Sequence, residues 1–340
     1  MAHIAKLFLV IFKLSHVRLI PFMKYFFFLL FSICFGKTLW AQSAHQVKNL
    51  KITVLSTMLA QKGMGEWGFA ALVEADSVKI LFDAGSHERT VLENSKTLNI
   101  DLSLVPRFVI SHNHWDHTIG WIPLRNETSR SNQQALAVTH VGQGIFDTRL
   151  SEKGDEETKM KNDSALYVLS GGKIITHASF TEISPGIYVT GPVDRKYPEK
   201  NYDQRWQKKD AAGKTVADIV PEDMSLIIRT EKGLVLLSGC GHSGIINTIT
   251  QARANLQQEP VYAAIGGFHL LQNSDEQIRW TAGELKKADI RYFMGAHCTG
   301  IEPVYQIREW AGLKRGKSVV GSVGATFDLV KGFTPGALAR

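Results

Sequence analysis

Three histidines and an aspartate within six residues form the stretch of this chain with the clearest capacity for chemistry. His112, His114, Asp116 and His117 follow the strand-like run Arg107–Ile110. Imidazole nitrogen and carboxylate oxygen are ligands that zinc and iron accept in proteins. Because alternate residues of an extended segment point to the same side, His112 and His114 can bind one metal ion. Asp116 and His117 then turn toward a second position, where we expect a helix to start.

Three later histidines recur in one setting, each directly after an apolar run and a small-residue turn. They are His242, His269 and His297. The carboxyl ends of strands are where α/β sheets build their sites, and glycine lets the backbone approach a ligand closely. A structural role explains any one of these histidines equally well, and a His-rich surface loop is the alternative for the first motif. The recurrence of the pattern favours a metal site.

Two cysteines lie beside these histidines. Cys240 precedes His242 by two positions, and Cys298 directly follows His297. In an exported protein the two thiols could form a disulfide. Near a metal either thiol could be a ligand, or it could line the wall of the pocket. These alternatives stay open at the level of the sequence.

The N-terminal segment resembles a targeting signal. Met23 and Lys24 precede an apolar run, Tyr25–Phe35, that has signal-peptide length and is too short for a comfortable membrane span. Small residues at Ala41–Ser43 suit cleavage. We therefore predict that residues 1–42 are a targeting segment, with Met23 as a possible start, and that the protein is exported to a periplasm. The alternative is a membrane anchor formed by an uncleaved segment.

The basic charge of the chain comes mainly from this segment. The whole chain has 39 basic and 32 acidic residues, a net charge of +7, but residues 1–42 contain five of the basic residues and no acidic one. The remaining 298 residues therefore have a net charge of +2. This balance gives no argument for nucleic acid as a partner. The length suffices for one large α/β domain, which we place at residues 43–340.

Hydrophobic patterning predicts strands in the first half and alternating strands and helices in the second, which indicates a layered α/β architecture. The predicted strands are Val47–Ser56, Gly68–Glu74, Val78–Asp83, Phe108–Ser111, Ala135–His140, Leu226–Arg229, Leu234–Ser238, Val261–Ile265, Tyr292–Met294 and, as the last, Ser318–Val320. The predicted helices are Ser86–Leu98, Gly244–Leu256, Asp275–Lys287 and Thr299–Ala311. Polar segments at 150–170 and 194–214 are expected to be insertions near the mouth of the site.

The combination of motifs resembles the metallo-β-lactamase superfamily. The carriers are His112–His117, Asp83 after an earlier strand and His297 after a late one, and the resemblance covers nearly all of residues 48–325. It implies a four-layer αββα sandwich, as a single domain, with a dinuclear metal site at one edge. The segments around Cys240, His269 and His297 are similar to one branch, the dihydropterin-methyl ribofuranosylaminobenzene phosphate synthase-like proteins.

The resemblance also implies roles for individual residues. His112 and His114 would bind the first metal, and Asp116 and His117 the second, while His297 matches the last histidine of the superfamily. Asp83 would support the motif loop through hydrogen bonds.

The middle of the chain departs from the superfamily pattern. The usual third histidine follows a strand that here ends at residues 190–194, where there is none, so His242 is expected to replace it. Cys240 stands near the position of the usual bridging aspartate. His269 has no counterpart and is either a further ligand or a group that contacts substrate.

These residues predict a metal-dependent hydrolase with two divalent ions, zinc being favoured over iron or manganese. A hydroxide generated at the metals and oriented by Asp116 would attack an ester, lactone, amide or phosphoester, and His269 would protonate the leaving group. The alternatives are a transferase of the kind named by the branch, a mononuclear iron redox enzyme on the same fold, and a non-catalytic binding protein.

The substrate is expected to be a small molecule, anionic or aromatic. Basic and aromatic residues alternate in the second insertion: Arg195, Lys196, Tyr197, Tyr202, Arg205, Trp206, Lys208 and Lys209. The alternative is a solvated surface loop. Trp115, between two predicted ligands, either lines the pocket or packs against the sheet. A homodimer is compatible with the sequence.

Overall fold

The computed structural model describes residues 45–339. The predicted targeting segment, its possible start at Met23 and its cleavage site lie outside the described residues. Within residues 45–339, no helix combines the length and the apolar character that crossing a bilayer requires.

The described residues form strands and helices that alternate along most of the chain. The strands are β1 (Leu50–Ser56), β2 (Ala70–Ala75), β3 (Val78–Phe82), β4 (Arg107–Ile110), β5 (Val138–Gly142), β6 (Arg149–Leu150), β7 (Glu156–Glu157), β8 (Lys173–His177), β9 (Thr181–Ser184), β10 (Ile187–Val189), β11 (Gln207–Lys209), β12 (Thr215–Ala217), β13 (Leu226–Thr230), β14 (Gly233–Ser238), β15 (Val261–Gly266), β16 (Tyr292–Gly295), β17 (Ser318–Val320), β18 (Thr326–Asp328) and β19 (Gly332–Thr334). The helices are α1 (Thr90–Thr97), α2 (Trp115–Thr118), α3 (Trp121–Ser129), α4 (Lys159–Leu169), α5 (Ile245–Asn255), α6 (Asp275–Lys287) and α7 (Ile301–Trp310).

Two large mixed sheets contain most of the strands. The first sheet has the order β19-β18-β1-β2-β3-β4-β5-β8, and the second has the order β17-β16-β15-β14-β13-β10-β9. In the first sheet β3, β4, β5 and β8 are parallel neighbours, and in the second β14 to β17 are parallel. Each sheet therefore gathers several carboxyl strand ends at one edge, where a site can form.

Three apolar cores lie between the layers of the fold. One lies between the sheets and includes Ile52, Val109 and Leu237. Another packs α3 and α4 on the outer face of the first sheet, and a third packs α5, α6 and α7 on the outer face of the second. β13 and β14 are buried along their whole length because each lies between a helix layer and the other sheet. The predicted four-layer αββα sandwich is confirmed.

The insertions differ in part from the sequence prediction. Within 150–170, the residues of α4 bury Met160 and Tyr167 in the core, so this half is structural rather than a polar insertion. β6, β7, β11 and β12 form a small four-stranded sheet from both segments. Residues of this sheet and of the turns beside it line the cavity over the site, as expected for insertions near its mouth.

Other differences concern element ends. Ser318–Val320 is not the last strand, because β18 and β19 follow and β18 pairs with β1. The first helix begins at Thr90 instead of Ser86, because Glu66 accepts hydrogen bonds from the Ser86 backbone and the His87 ring and so keeps these residues in the preceding loop. The strand predicted from Ala135 starts at Val138, after Leu136 with its φ of 48°.

Candidate metal centre

Strand register brings the later histidines together. Ser238, Gly266 and Gly295 are neighbours in the register of β14, β15 and β16. Since each strand ends there, the loops that carry His242, His269 and His297 leave the sheet side by side. β4 of the first sheet delivers the His112 motif to the same place, and α2 starts at Trp115, close to the helix start that the sequence predicts at Asp116 and His117.

A glycine permits the two sheets to meet at this edge. A Cβ atom on Gly239 would collide with the Ser111 hydroxyl, and it would lie 2.5 Å from the Asp83 carboxylate. A larger residue would push the end of β14 away from the motif loop. The close approach of the two sheets at this edge therefore depends on glycine at this position.

Three imidazole nitrogens converge at a first position. His112 Nε2 lies 3.0 Å from His114 Nδ1, and His242 Nε2 lies 3.2 Å from both. The His242 Nδ1 atom contacts the Asn201 carbonyl at 2.5 Å and must donate its proton there, which leaves a lone pair on Nε2. His112 Nδ1 similarly contacts the Ser111 hydroxyl at 2.8 Å.

Converging lone pairs repel unless a cation lies between them. Burial lowers the pKa of His112 and His242 well below the ordinary value and that of His114 to about 3, so all three rings are neutral. For metal–nitrogen bonds of about 2.0–2.1 Å in a tetrahedral shell, neighbouring nitrogens lie roughly 3.3 Å apart. The donor types, spacing and protonation of this trio fit a divalent metal ion.

A second position lies next to the first and carries charge. His297 Nε2 is 3.1 Å from the Asp116 carboxylate and 3.3 Å from His117 Nε2. The His117 Nδ1 atom donates to Asp83 Oδ2 at 2.7 Å. Asp83 also accepts hydrogen bonds from the Ser111 backbone and hydroxyl. Asp83 therefore lies where it can orient His117 and hold the motif loop, which is the arrangement expected behind a metal ligand.

Charges at the second position shift two pKa values. Burial opposes a charge on His117, but the Asp116 and Asp83 carboxylates outweigh it and raise the pKa to about 9. Burial alone would raise the pKa of Asp116, yet the charge of His117 and the contact with His297 hold it below its ordinary value. The second position therefore favours positive charge.

Both cysteines are free thiols at the centre. Cys240 Sγ lies 3.1 Å from His117 Nε2 and forms candidate ligand groups with residues of both positions. Cys298 Sγ is 3.2 Å from Cys240 Sγ and accepts a hydrogen bond from the His269 backbone at 3.3 Å. Burial raises the pKa of the Cys240 thiol. Burial opposes the shift at Cys298, but Cys240 and His297 hold that pKa well below its ordinary value.

His269 stands at the edge of the trio. Its ring centroid is 4.7 Å from that of His242, and Cys240, His242 and His269 form one candidate ligand group. Its buried Nδ1 atom has no hydrogen-bond partner. Burial opposes a raised pKa, but contact with Cys298 outweighs it and raises the pKa of His269. The geometry is compatible with both predicted roles, ligand and proton donor.

A cavity of about 810 Å³ opens onto the centre. Three indoles line it. The ring centroid of Trp206 lies 4.6 Å from that of His114, and Trp67 lies 4.8 Å from His297, so each metal position has an indole beside it. Trp115 also lines the cavity and is 55% exposed, so it faces the cavity rather than packing against the sheet.

The basic residues of the second insertion do not converge on this cavity. Arg195 donates to the backbone carbonyls of His242 and Ile219, and Lys208 pairs with Asp147. Arg205 pairs with Asp203 on the surface. Each of these three cations therefore has a protein partner, which weakens the sequence argument for an anionic substrate.

Several supporting groups escaped the sequence prediction. Glu222 is fully buried and accepts a hydrogen bond from the Asn113 backbone, between the first two histidines, while Arg149 pairs with Glu222 and Asp218. The Asn201 carbonyl fixes His242. No local pattern marks these residues. Trp67 could have been suspected, because it stands in the glycine-rich segment 63–68.

Comparison with known proteins places the chain among relatives of similar length. It is 30% identical over 274 residues to the 7,8-dihydropterin-6-methyl-4-(β-D-ribofuranosyl)-aminobenzene-5'-phosphate synthase of Methanocaldococcus jannaschii, a match that covers 76% of this chain and 90% of that protein. It is 31% identical over 260 residues to an uncharacterised protein of the same organism, covering 76% of this chain and 94% of the relative. No family model matches the chain.

Solved structures share the fold. A metal-dependent hydrolase of the β-lactamase superfamily superposes with a TM-score of 0.65 at 24% identity, covering 82% of this chain and 98% of its own. A metallo-β-lactamase fold protein from Bacillus subtilis superposes with a TM-score of 0.52 at 11% identity, covering 83% of this chain and all of its own. At these identities the likeness concerns the architecture alone.

Proposed function

The chain belongs to the metallo-β-lactamase superfamily, in the branch that contains the dihydropterin-methyl ribofuranosylaminobenzene phosphate synthase, and from this premise we propose that it is a metal-dependent hydrolase with two divalent ions. Zinc is the ion we favour over iron or manganese. One observation carries the proposal: three neutral imidazole nitrogens 3.0–3.2 Å apart adjoin a second position that contains a carboxylate.

The proposed ligands divide between the two positions. His112, His114 and His242 would hold the first ion, and Asp116, His117 and His297 the second. Cys240 lies between the two groups, where a shared ligand would stand. When bound, two such ions lower the pKa of a water toward neutrality and polarise a scissile carbonyl or phosphoryl oxygen.

The protein's own groups would then handle orientation and protons. The Asp116 carboxylate lines the cavity and can accept a hydrogen bond from the attacking water. His269 lines the same cavity beside the first position, where a protonated ring can donate to a departing oxygen or nitrogen. No separate serine or cysteine nucleophile is required.

The cavity walls suggest which esters, lactones, amides or phosphoesters fit. Trp206 stands beside the first metal position and Trp67 beside the second, and Trp115 lines the same cavity. Indole faces bind planar apolar groups with a gain of roughly 0.5–1.5 kcal/mol per ring pair beyond area burial. We therefore favour a small substrate with a planar aromatic part near the bond that is cleaved.

A transferase is the second candidate, because the relative that shares 30% of its residues over nearly its full length is named a synthase. A mononuclear iron redox enzyme is a third, favoured only by the two thiols at the centre. The hydrolase needs water alone as co-substrate, whereas the transferase needs a second organic substrate and the redox enzyme consumes oxygen or another oxidant.

The test is the metal content per chain, measured by elemental mass spectrometry on protein that has never met a chelator, followed by assays on that protein. We expect about two zinc equivalents and release of product from one ester, lactone or phosphoester of an aromatic panel. About one iron equivalent with oxygen uptake would overturn the hydrolase in favour of the redox enzyme. Turnover that requires two organic substrates would overturn it in favour of the transferase.

Export is a separate proposal that rests on residues 1–42. N-terminal sequencing of the protein from a cell that secretes it should find a chain that starts near Ser43. A mature chain that still begins at Met1 or Met23 would contradict cleavage.

A further inference from the structure

The two free thiols stand in an unusual place. Cys240 and Cys298 follow different strands, and their sulfur atoms are 3.2 Å apart, about 1.2 Å more than in a disulfide. Each residue is 2% exposed, yet both line the cavity of about 810 Å³. A small neutral molecule that enters the cavity can reach both sulfurs.

Neither the proposed hydrolase nor the transferase assigns a role to both thiols together. The hydrolase needs Cys240 alone, between the two metal positions, and it assigns nothing to Cys298. A single ligand thiol would not need a second thiol within contact distance. Besides Cys240, the Cys298 sulfur contacts His269 and lies close to His297, and neither residue is a thiol that could form a disulfide with it.

We propose that Cys240 and Cys298 form a reversible disulfide when a small peroxide enters the cavity, and that this bond withdraws Cys240 from the metal centre. One thiolate attacks the peroxide, forming an S–O bond while the O–O bond breaks and hydroxide leaves as water. The other thiol then attacks the same sulfur, forming the S–S bond and releasing a second water. Two thiols and one hydrogen peroxide thus yield one disulfide and two waters.

The consequence for the metals follows from geometry. Cys240 Sγ lies 3.1 Å from His117 Nε2, within the reach of one shared ion. A sulfur bonded to Cys298 offers no thiolate, so the shared ligand is lost while the histidines stay. This second half rests on the proposed function, whereas formation of the disulfide does not.

The experiment treats the metal-loaded full chain with millimolar hydrogen peroxide, removes the peroxide with catalase, and then measures intact mass, free thiols under denaturing conditions, and bound metal. A Cys34→Ser background leaves only the two cysteines of the pair. We expect a mass loss of about 2 Da and the loss of both thiols. Bound metal should fall by about one equivalent, and dithiothreitol with added zinc should restore it.

The matched variant is Cys298→Ser, which keeps the size of the residue and removes the partner. In this variant peroxide should add about 32 Da at Cys240, and dithiothreitol should not reverse the change. Two thiols that still titrate in the parent protein, or oxygen added to one cysteine while the other stays free, would overturn the disulfide. A disulfide that forms without loss of metal would overturn the withdrawal of Cys240 and leave the hydrolase standing.

Discussion

Two histidine clusters involve the adjacent strands β4, β5 and β8 of the first sheet, and only one of them has the features of a metal centre. His112 and His114 follow β4, whereas His140 lies in the middle of the adjacent strand β5 and His177 ends β8, the next strand beyond β5. The rings of the latter pair stack with centroids 5.2 Å apart, and Nδ1 of one lies 2.9 Å from Nε2 of the other. All of these residues are histidines, and all except the half-buried His114 are buried.

The direction of the lone pairs distinguishes them. In the pair, one ring can donate a proton to the other, so the two nitrogens satisfy each other without an ion. In the trio, the protons of His112 and His242 are directed to Ser111 and Asn201, so the Nε2 atoms of these two rings face each other at 3.2 Å without a proton between them. Carboxylate and thiol groups adjoin the trio, and among the described residues no group of three or more candidate ligands includes the pair. Hydrogen-bond direction and neighbouring charge matter more here than the number of histidines.

The largest expected effect is a loss of bound metal when histidines of the trio are changed, and no such loss when the His140–His177 pair is changed. His112→Ala combined with His114→Ala should lose the ion of the first position and reduce hydrolysis by more than the roughly 100-fold that loss of a supporting hydrogen bond causes. Elemental analysis and activity assays measure both. His140→Gln with His177→Gln is the matched control and should retain two metal equivalents. Full metal content in the first variant would refute the assignment.

A substitution of Asp83 tests a residue that orients a proposed ligand of the second metal position without binding the ion itself. Asp83→Asn keeps a residue that tolerates the φ of 58° found there, but its amide cannot accept every hydrogen bond that Ser111 and His117 donate. We expect metal affinity at this position to fall by about 10-fold to 100-fold, as seen in a competition titration with a chelator. Asp76→Asn, which also lies at a positive φ, is the control. Equal affinity in both variants would mean that Asp83 does not support the ion.

Lowering the pH should reveal the His140–His177 pair through a loss of folding stability. Burial lowers the pKa of His140 to about 4 and also lowers that of His177. In the unfolded chain these groups take up protons near pH 6.5, so their contribution to stability is complete above that pH and is lost as the pH falls toward 4. When the pH falls from 7 to 5, the parent should lose about 2 kcal/mol more of its free energy of unfolding than the double variant His140→Gln with His177→Gln loses. Urea titrations at both pH values check this, and parallel losses would contradict it.

The smallest effect concerns Trp206, whose indole packs edge-on against His114 and His242, whereas no indole among residues 45–339 contacts the His140–His177 pair. Trp206→Ala should raise KM for an aromatic substrate by about threefold to tenfold and change kcat little, because stacking acts on binding. Trp206→Phe should recover most of the loss. A fall in kcat at constant KM would place Trp206 in the chemistry instead.

Local pattern was sufficient for much of this protein. The strand-like run before His112 and the glycine-rich turns before His242, His269 and His297 are short-range features, and the structure brings all these side chains to one edge. The four-layer sandwich was likewise predictable from the resemblance. The segment 150–170 was misjudged because the polar residues of α4 outnumber Met160 and Tyr167, which bury its inner face.

By itself, the sequence determined which residue types stand at the strand ends, because periodicity and spacing are properties of neighbouring residues. Only the tertiary structure decided which nitrogen of each histidine faces the metal centre. It also decided which basic side chains of the second insertion bind other protein groups instead of facing the cavity. The Asn201 carbonyl is 41 residues from His242, and the Glu222 carboxylate is 109 residues from the Asn113 amide. Every residue has a carbonyl and nearly every one an amide. Contacts made through such groups leave no mark in the sequence and arise only when two sheets pack with their strand ends together.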